Sequence, residues 1–360
     1  MNELSALVSF SVFPGIGPAR FRLLYSYFGT AGAAWKATKG ELQSTGLSQK
    51  IIDRFLEFRS TFSVDQYFTD LEQKRIRVVS FLDTTYPERL KQIPDPPLVL
   101  YVYGEDSLSL LSELRLIGIV GTRMITQYGR DVTRKLTRDL VRSGFGIVSG
   151  LAFGVDAEAH NTTLQNGGKT IAVLGCGVDV IAPISNAPIY REIARKGGLI
   201  VSEMPIGHRP DRGLFPARNR IISGLSLGIV VTEGSEDSGA LITASYAAEQ
   251  GRDVFAVPGP ITSIYSRGPA KLLKAGATLA ESAQDILDQL QISKGASPDI
   301  QKSLTDEEQW VVRAIQKGGV HVDDLLRTGA VTRDRLFILL TQLELKNIII
   351  KNEKDEYNLI

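Results

Sequence analysis

Five short motifs rich in glycine and charge each stand where a buried apolar run ends, and this register restricts most of what the 360-residue chain can fold into. Gly121-Thr122-Arg123 follows Leu116–Val120, and Ser149-Gly150-Leu151-Ala152-Phe153-Gly154-Val155-Asp156 follows Gly146–Val148. Leu174–Asp179, Phe215–Arg220 and Glu233–Ala240 complete the series. The runs Arg77–Phe81, Leu98–Tyr103, Leu116–Val120, Gly146–Ser149, Thr170–Leu174, Leu199–Ser202, Leu227–Thr232 and Asp253–Val257 read as strands. Several are near-continuous in Val, Ile and Leu, the composition of strands covered on both faces. Tyr128–Ser143, Asp156–Asn166, Asn186–Lys196 and Ala240–Gln250 suit the helices between them. This alternation predicts an α/β chain with an extended Rossmann-like, doubly wound parallel sheet, lengthened by the first two strands. Such a sheet places its ligand beyond the carboxyl ends of the strands, where all five motifs fall.

The bulk charge is uninformative about partners. Forty-one basic residues face 40 acidic ones, so any nucleic-acid site is a local patch. The single cysteine, Cys176, excludes an internal disulfide and fits a reducing cytoplasm. Met1–Pro14 has neither a basic start nor a long apolar core, so no signal peptide is expected, and no apolar run approaches the roughly 20 residues of a membrane span. A cytoplasmic protein without metal or cofactor is the expectation.

Two smaller segments flank the sheet. Residues 1–75 read as a helical module, in which Val12–Pro18 is a tight turn and Phe21, Leu24, Tyr25 and Phe28 follow at helical spacing. The Gly15-Ile16-Gly17 turn is either a phosphate-contacting hairpin or a plain helix connection, and Gly46-Leu47-Ser48 is a weaker copy. Residues 76–290 hold the sheet, 291–303 form a linker around Gly295-Ala296-Ser297-Pro298, and 304–360 make a final module. There Glu307–Gln316, His321–Arg327 and Thr332–Leu345 read as helices, with strands at Asn347–Ile350 and Glu356–Ile360 around a polar turn at Asn352–Asp355. That order is the winged-helix pattern. Residues 301–360 carry nine Lys/Arg against ten Asp/Glu, which favours protein docking over duplex reading.

The motifs themselves favour an oligoanion site. In Gly121-Thr122-Arg123, loop amides and the Thr hydroxyl can hold a phosphate, with Arg123 as a fixed charge. Residues 115–142 add a nearly unopposed basic run, in which Arg130, Arg134 and Arg138 repeat at i+4. Asp156 is placed to cap a helix, with His160 one turn later. Ser149, Asp156 and His160 fall within twelve residues without a nucleophile elbow, which argues against a hydrolase triad. Phe215–Arg220 is expected to open a helix with Pro216 first. At i and i+2, Arg218 and Arg220 cannot both face one ligand, so one binds while the other braces the loop. Asn219 can read a base edge or a sugar, or cap the backbone. Ser238-Gly239 opens the last of these helices. Phe153, Phe215, Tyr128 and Tyr265 are candidate stacking rings, two of them expected in the core.

In combination these motifs resemble the DNA-processing protein A, or DprA/Smf, family. The resemblance spans nearly the whole chain. Its carriers are Gly121-Thr122-Arg123 with Tyr128-Gly129, Ser149–Asp156 with Ala159-His160, Ala172–Gly175 with Gly177–Asp179, and Gly197-Gly198 through Ser202-Glu203. Phe215–Arg220, Ser238–Leu241, Gly251-Arg252 and Val257–Gly259 complete it. The resemblance implies a non-catalytic mediator that binds single-stranded DNA and loads RecA recombinase during natural transformation. It further implies a homodimer that displaces single-strand binding protein or shares the strand with it. It implies DNA contacts at Arg123, at Gly121, Gly150 and Gly154, and in the loop Arg218, Asn219 and Arg220; the reading of the residues themselves adds Thr122, Ser149, Phe153, Lys169, Ser238 and Gly239 to the expected DNA-binding set. One departure stands out: Ala182-Pro183-Ile184-Ser185-Asn186 is neutral where the family carries aromatic and basic character. The rival reading is a Rossmann enzyme that cleaves nucleoside monophosphates at the glycosidic bond, using an acid near Glu233, or a non-catalytic nucleotide sensor.

Overall fold

The computed structural model describes residues 1–211, 213–291, 305–315, 320–327, 331–345, 348–352 and 356–359. These form two compact units, residues 1–141 with 145–281 and residues 142–144 with 282–360. The linker expected over 291–303 lies, from residue 292 on, outside the described residues, as do Arg212, Gln316, Asn347 and Ile360.

The first unit opens with helices α1 (Glu3–Val12), α2 (Pro18–Phe28), α3 (Ala31–Lys36), α4 (Lys39–Gln43), α5 (Gln49–Thr61) and α6 (Val64–Gln73). Short polar side chains start them. Asn2 Oδ1 accepts from Ser5 N at 2.7 Å, and Thr38 with Glu41 forms a capping box on α4. Their inward faces meet in an aromatic cluster, where Phe10 lies edge-on to Phe21 and to Trp35 with centroids 5.2 Å apart in both pairs. The same core runs on without a break into the sheet, through Leu98, Val99, Tyr101, Ala172 and Ile200. At the junction Ser11 Oγ and Tyr101 Oη share a hydrogen bond of 2.7 Å.

The sheet follows: β1 (Arg77–Ser80), α7 (Glu88–Lys91), β2 (Val99–Tyr103), β3 (Leu116–Val120), α8 (Gln127–Arg142), β4 (Gly146–Ser149) and α9 (Val155–Gln165). Next come β5 (Thr170–Val173), α10 (Ala187–Glu192), β6 (Gly198–Ser202), α11 (Leu214–Leu225), β7 (Gly228–Val231), α12 (Gly239–Glu249), β8 (Asp253–Ala256), α13 (Arg267–Lys274) and β9 (Thr278–Leu279). Among the described residues it is nine-stranded, in the order β1-β2-β6-β5-β4-β3-β7-β8-β9. Strands β1, β2 and β6 pair antiparallel, and every pairing from β6 to β9 is parallel. All eight expected strands are present. The two-residue β9 is too short to leave a periodic signal. The helix expected over Asn186–Lys196 is split. A 3₁₀ turn at Ile184–Asn186 leads into α10, and Ile193–Gly197 is π-helical. Helix α11 begins at Leu214, so Pro216 is its third residue instead of its first.

The second unit contains α14 (Ala283–Gln289), α15 (Asp306–Ile315), α16 (Val322–Arg327) and α17 (Arg333–Leu345). Its strands β10 (Val320–His321), β11 (Ile349–Lys351) and β12 (Glu356–Leu359) form a sheet in the order β10-β12-β11. Leu336, Leu339, Leu340 and Leu343 repeat at helical spacing along α17 and pack on Val311, Val312, Ile315, Leu325 and Tyr357.

Candidate nucleic-acid interface

The chain runs β3 to β6 in one direction, then crosses back to place β7 on the other side of β3. The crevice between the carboxyl ends of β3 and β7 is therefore where this sheet would take a ligand. The protein closes it with its own Glu233. Thr122 N donates to Glu233 O at 2.7 Å, and the buried Glu233 carboxylate accepts from Thr126 N at 3.0 Å and Thr126 Oγ1 at 2.6 Å. Thr126 Oγ1 accepts in turn from Gly129 N at 3.1 Å, which fixes the start of α8. Thus Glu233 serves as a tie for the Gly-Thr-Arg loop and does not face an open cavity.

The next loop, residues 149–156, is assembled around two buried charges. Ser149 Oγ donates to Ile119 O at 2.7 Å. Asp156, expected to cap α9, instead reaches back, accepting from Gly150 N at 3.1 Å and Ala152 N at 3.4 Å, while Gly154 takes the cap position. Arg218, 5% exposed, enters from α11 and donates to Gly150 O at 2.8 Å and to Val173 O. Burial pushes the Asp156 carboxyl up, opposed by the Arg218 guanidinium and the loop amides. Burial also pulls the Arg218 guanidinium down, opposed by Asp156. Asn186 completes the support, donating from Nδ2 to Leu151 O at 2.9 Å and Ala152 O at 3.2 Å, and so holds Leu151 at its left-handed φ of 56°.

The glycines let these loops meet each other more than they open room for a ligand. A Cβ at Gly121 would lie 2.8 Å from Glu233 O, and one at Gly150 would strike the Arg218 guanidinium. At Gly154, whose φ is 77°, a Cβ would collide with Thr122 O and stand 2.8 Å from Arg123 O.

With the switch-point crevice filled, the open space lies to one side, over β3, β4 and β5. A groove of about 700 Å³ runs between Arg123–Ile125, the first turns of α9 and the segment 185–189. Gly154, Ala157, Glu158 and Asn161 form its α9 wall at i, i+3, i+4 and i+7, and Arg130 joins from α8. Arg123 is exposed at the rim, and the Phe153 ring is 48% exposed beside it. The facing segment is the neutral one seen in the sequence, with a cis Ala182–Pro183 peptide and Ile184 exposed.

Several expected residues are not brought to this groove. Lys169 immediately precedes β5, so it stands at the amino edge of the parallel strands, opposite the motifs, and pairs with Asp106 at 2.9 Å. Arg220 is buried in a bidentate pair with Glu203 at 2.6 and 2.7 Å and contacts Asp95 at 2.8 Å. Asn219 accepts from Arg218 Nε at 3.1 Å and donates to Gly239 O at 3.3 Å, which puts Asn219, Ser238 and Gly239 in a neighbouring cluster. Of the four candidate stacking rings, two expected in the core, the Phe215 side chain lies outside the described residues, Phe153 and Tyr128 are exposed and Tyr265 is partly buried, so that expectation fails. Tyr128 Oη donates to Pro258 O. Sequence reasoning passed over Glu158, Asn161 and Ser185. The signal for the α9 residues was the helical spacing from Gly154, one position off the Asp156–His160 face considered.

His160 is structural. It is buried, and its Nδ1 lies 2.7 Å from Thr170 Oγ1, which itself donates to Ile147 O. The hydroxyl thus accepts from Nδ1–H, and Nε2 is left buried without a hydrogen-bond partner. Burial, aided by Arg218, holds the imidazole at about 3. Because this lies below the unfolded value, the unfolded chain takes up the proton first. Stability present above about pH 6.5 is lost as the pH falls toward 3, by up to about 1.4 kcal/mol per pH unit. Denaturant unfolding is expected to show a loss of about 2 kcal/mol between pH 7 and 5 that His160→Gln lacks. Equal losses in both proteins would remove His160 from this account.

Comparison with known proteins places this geometry in context. Residues 77–291 match the family model described as DNA recombination-mediator protein A. Protein Smf of Synechocystis sp. is 41% identical over 293 residues, covering 80% of this chain and 73% of that protein. The X-ray structure of DNA processing protein A from Streptococcus pneumoniae superposes with a TM-score of 0.69 at 35% identity, over 79% of this chain and 95% of that one. DNA processing protein A from Helicobacter pylori, solved for its single-stranded DNA binding mode, gives a TM-score of 0.54 at 31% identity, over 60% of this chain and 96% of that one.

Proposed function

Because the chain belongs to the DNA recombination-mediator protein A family, we propose that it binds single-stranded DNA in the groove beside Arg123 and passes the strand to RecA recombinase in natural transformation. The observation that carries this reading is the groove itself. It is open and shallow, with Arg123 and Arg130 along it and the exposed Phe153 ring beside them. Charge reads phosphate and a ring reads any base face, so binding is indifferent to sequence. No turnover is needed. The buried, fully tied Glu233 leaves the glycosidic-cleavage alternative without its acid in the groove.

On the same reading the protein is a cytoplasmic homodimer that displaces or shares the strand with single-strand binding protein. It divides into a helix-hairpin-helix module (1–75), the extended Rossmann domain (76–290), a linker (291–303) and a winged helix (304–360). The three helices and the hairpin of the last module support its assignment, and its near-neutral charge supports protein docking. Among the described residues no helix is long and apolar enough to cross a membrane.

The test is titration into a labelled single-stranded oligonucleotide, with duplex and a nucleoside monophosphate as competitors. Tight, salt-sensitive binding that duplex displaces poorly supports the reading. Displacement by the monophosphate, with release of ribose phosphate, supports the enzyme. Arg123→Ala is expected to weaken strand binding by about 1–3 kcal/mol, the scale of a charge-assisted hydrogen bond. Unchanged affinity in a folded variant would remove Arg123 from the site.

A further inference from the structure

The groove contains an anion of its own. Glu158, on the α9 wall, is 8% exposed, and its two carboxylate oxygens are taken by two arginines of α8. Arg130 Nη1 donates to Oε2 at 3.1 Å, and Arg134 Nε donates to Oε1 at 2.6 Å. Both arginines keep a wide solvent-facing surface, about 39% and 51% of the side chain; Arg130 lines the groove, and Arg134 stands one turn further along α8, beyond its lining. Two oxygens held by two guanidinium groups reproduce how a phosphodiester is held. The basic stripe that looks unopposed in the sequence is therefore half-neutralised in the fold by a carboxylate from the next helix.

We propose that Glu158 is a built-in competitor for the phosphates of the strand. The inference rests on the single-strand reading above and deepens it. Strand entry exchanges the carboxylate for a phosphodiester on Arg130 and Arg134, so that these two arginines add to the contact made at Arg123. The exchange offsets much of the gain, which keeps the strand releasable for transfer to a recombinase.

Glu158→Gln removes the charge and preserves the shape. It is expected to bind a labelled oligonucleotide about tenfold more tightly, since two charge-assisted contacts no longer compete. Its log–log salt dependence is expected to steepen by up to about 0.7, because strand entry then frees no carboxylate to gather a cation back. Arg130→Gln/Arg134→Gln is expected to weaken binding and to flatten the same slope, and to abolish the gain when combined with Glu158→Gln. If the pair only clasps α8 to α9, all three variants lower the melting temperature and leave the slope at that of the parent, which overturns the proposal. Loss of folding in Glu158→Gln leaves the slope of the arginine variant as the deciding readout. Arg123→Ala and the parent are measured alongside. A parent that binds no strand overturns the functional reading and this inference with it. A parent that binds and depends on Arg123, with Glu158→Gln unchanged, overturns the inference alone.

Discussion

Arg218→Ala is expected to lower the free energy of unfolding by about 3 kcal/mol or more, the scale of leaving two buried carbonyls without a charged donor. The side chain is 5% exposed, so its contacts are made in the interior. Its loss would strip Gly150 O and Val173 O of their donor and leave Asp156 buried beside no countercharge. Because those groups set the loop that presents Phe153 and Gly154, strand affinity should fall in parallel, though Arg218 does not line the groove. Denaturant titration gives the stability and the oligonucleotide assay the affinity. Arg218→Met with Asp156→Asn should recover part of the loss, since neither partner is then an unpaired charge. A single variant within about 1 kcal/mol of the parent would show that this guanidinium is not the tie.

Gly154→Ala should be nearly as severe, with a loss of about 2–4 kcal/mol from strain and overpacking together. At φ 77° and ψ −121° the backbone occupies a region that only glycine visits freely, and the added methyl would strike Thr122 O and Arg123 O. The Gly-Thr-Arg loop would have to move, taking Arg123 from the groove. Gly167→Ala separates the two causes. That residue also has a positive φ, 69°, but nothing stands within 4 Å of its Cβ position. It should cost only about 1 kcal/mol and leave binding alone. Equal losses at both positions would mean that backbone strain governs and the loop contact does not.

These two residues also mark how far the sequence could be read. Strand positions were legible because the apolar runs β3, β4 and β7 leave no other burial, and the two glycine loops were legible as strand-end features. The side of the sheet was legible too: Lys169 stands directly before β5, so its place at the opposite edge follows from chain direction alone. The fate of the arginines was not. Spacing said correctly that Arg218 and Arg220 point apart. Nothing local revealed that one would run inward to Asp156 and the other to Glu203 and Asp95, because those partners are far away in sequence. The filled switch point was hidden for the same reason, since Glu233 and Thr126 are 107 residues apart.

The unbroken core between the first helices and the sheet has a consequence for descent. Phe10, Phe21, Trp35 and Phe55 pack into one cluster that runs on through Tyr101 of β2 to Ile200 of β6. The leading helices and the sheet therefore share one interior, and neither face of that seam is buried without the other. Each substitution on one side of that seam changes which residues are acceptable on the other, so the two must drift as a pair.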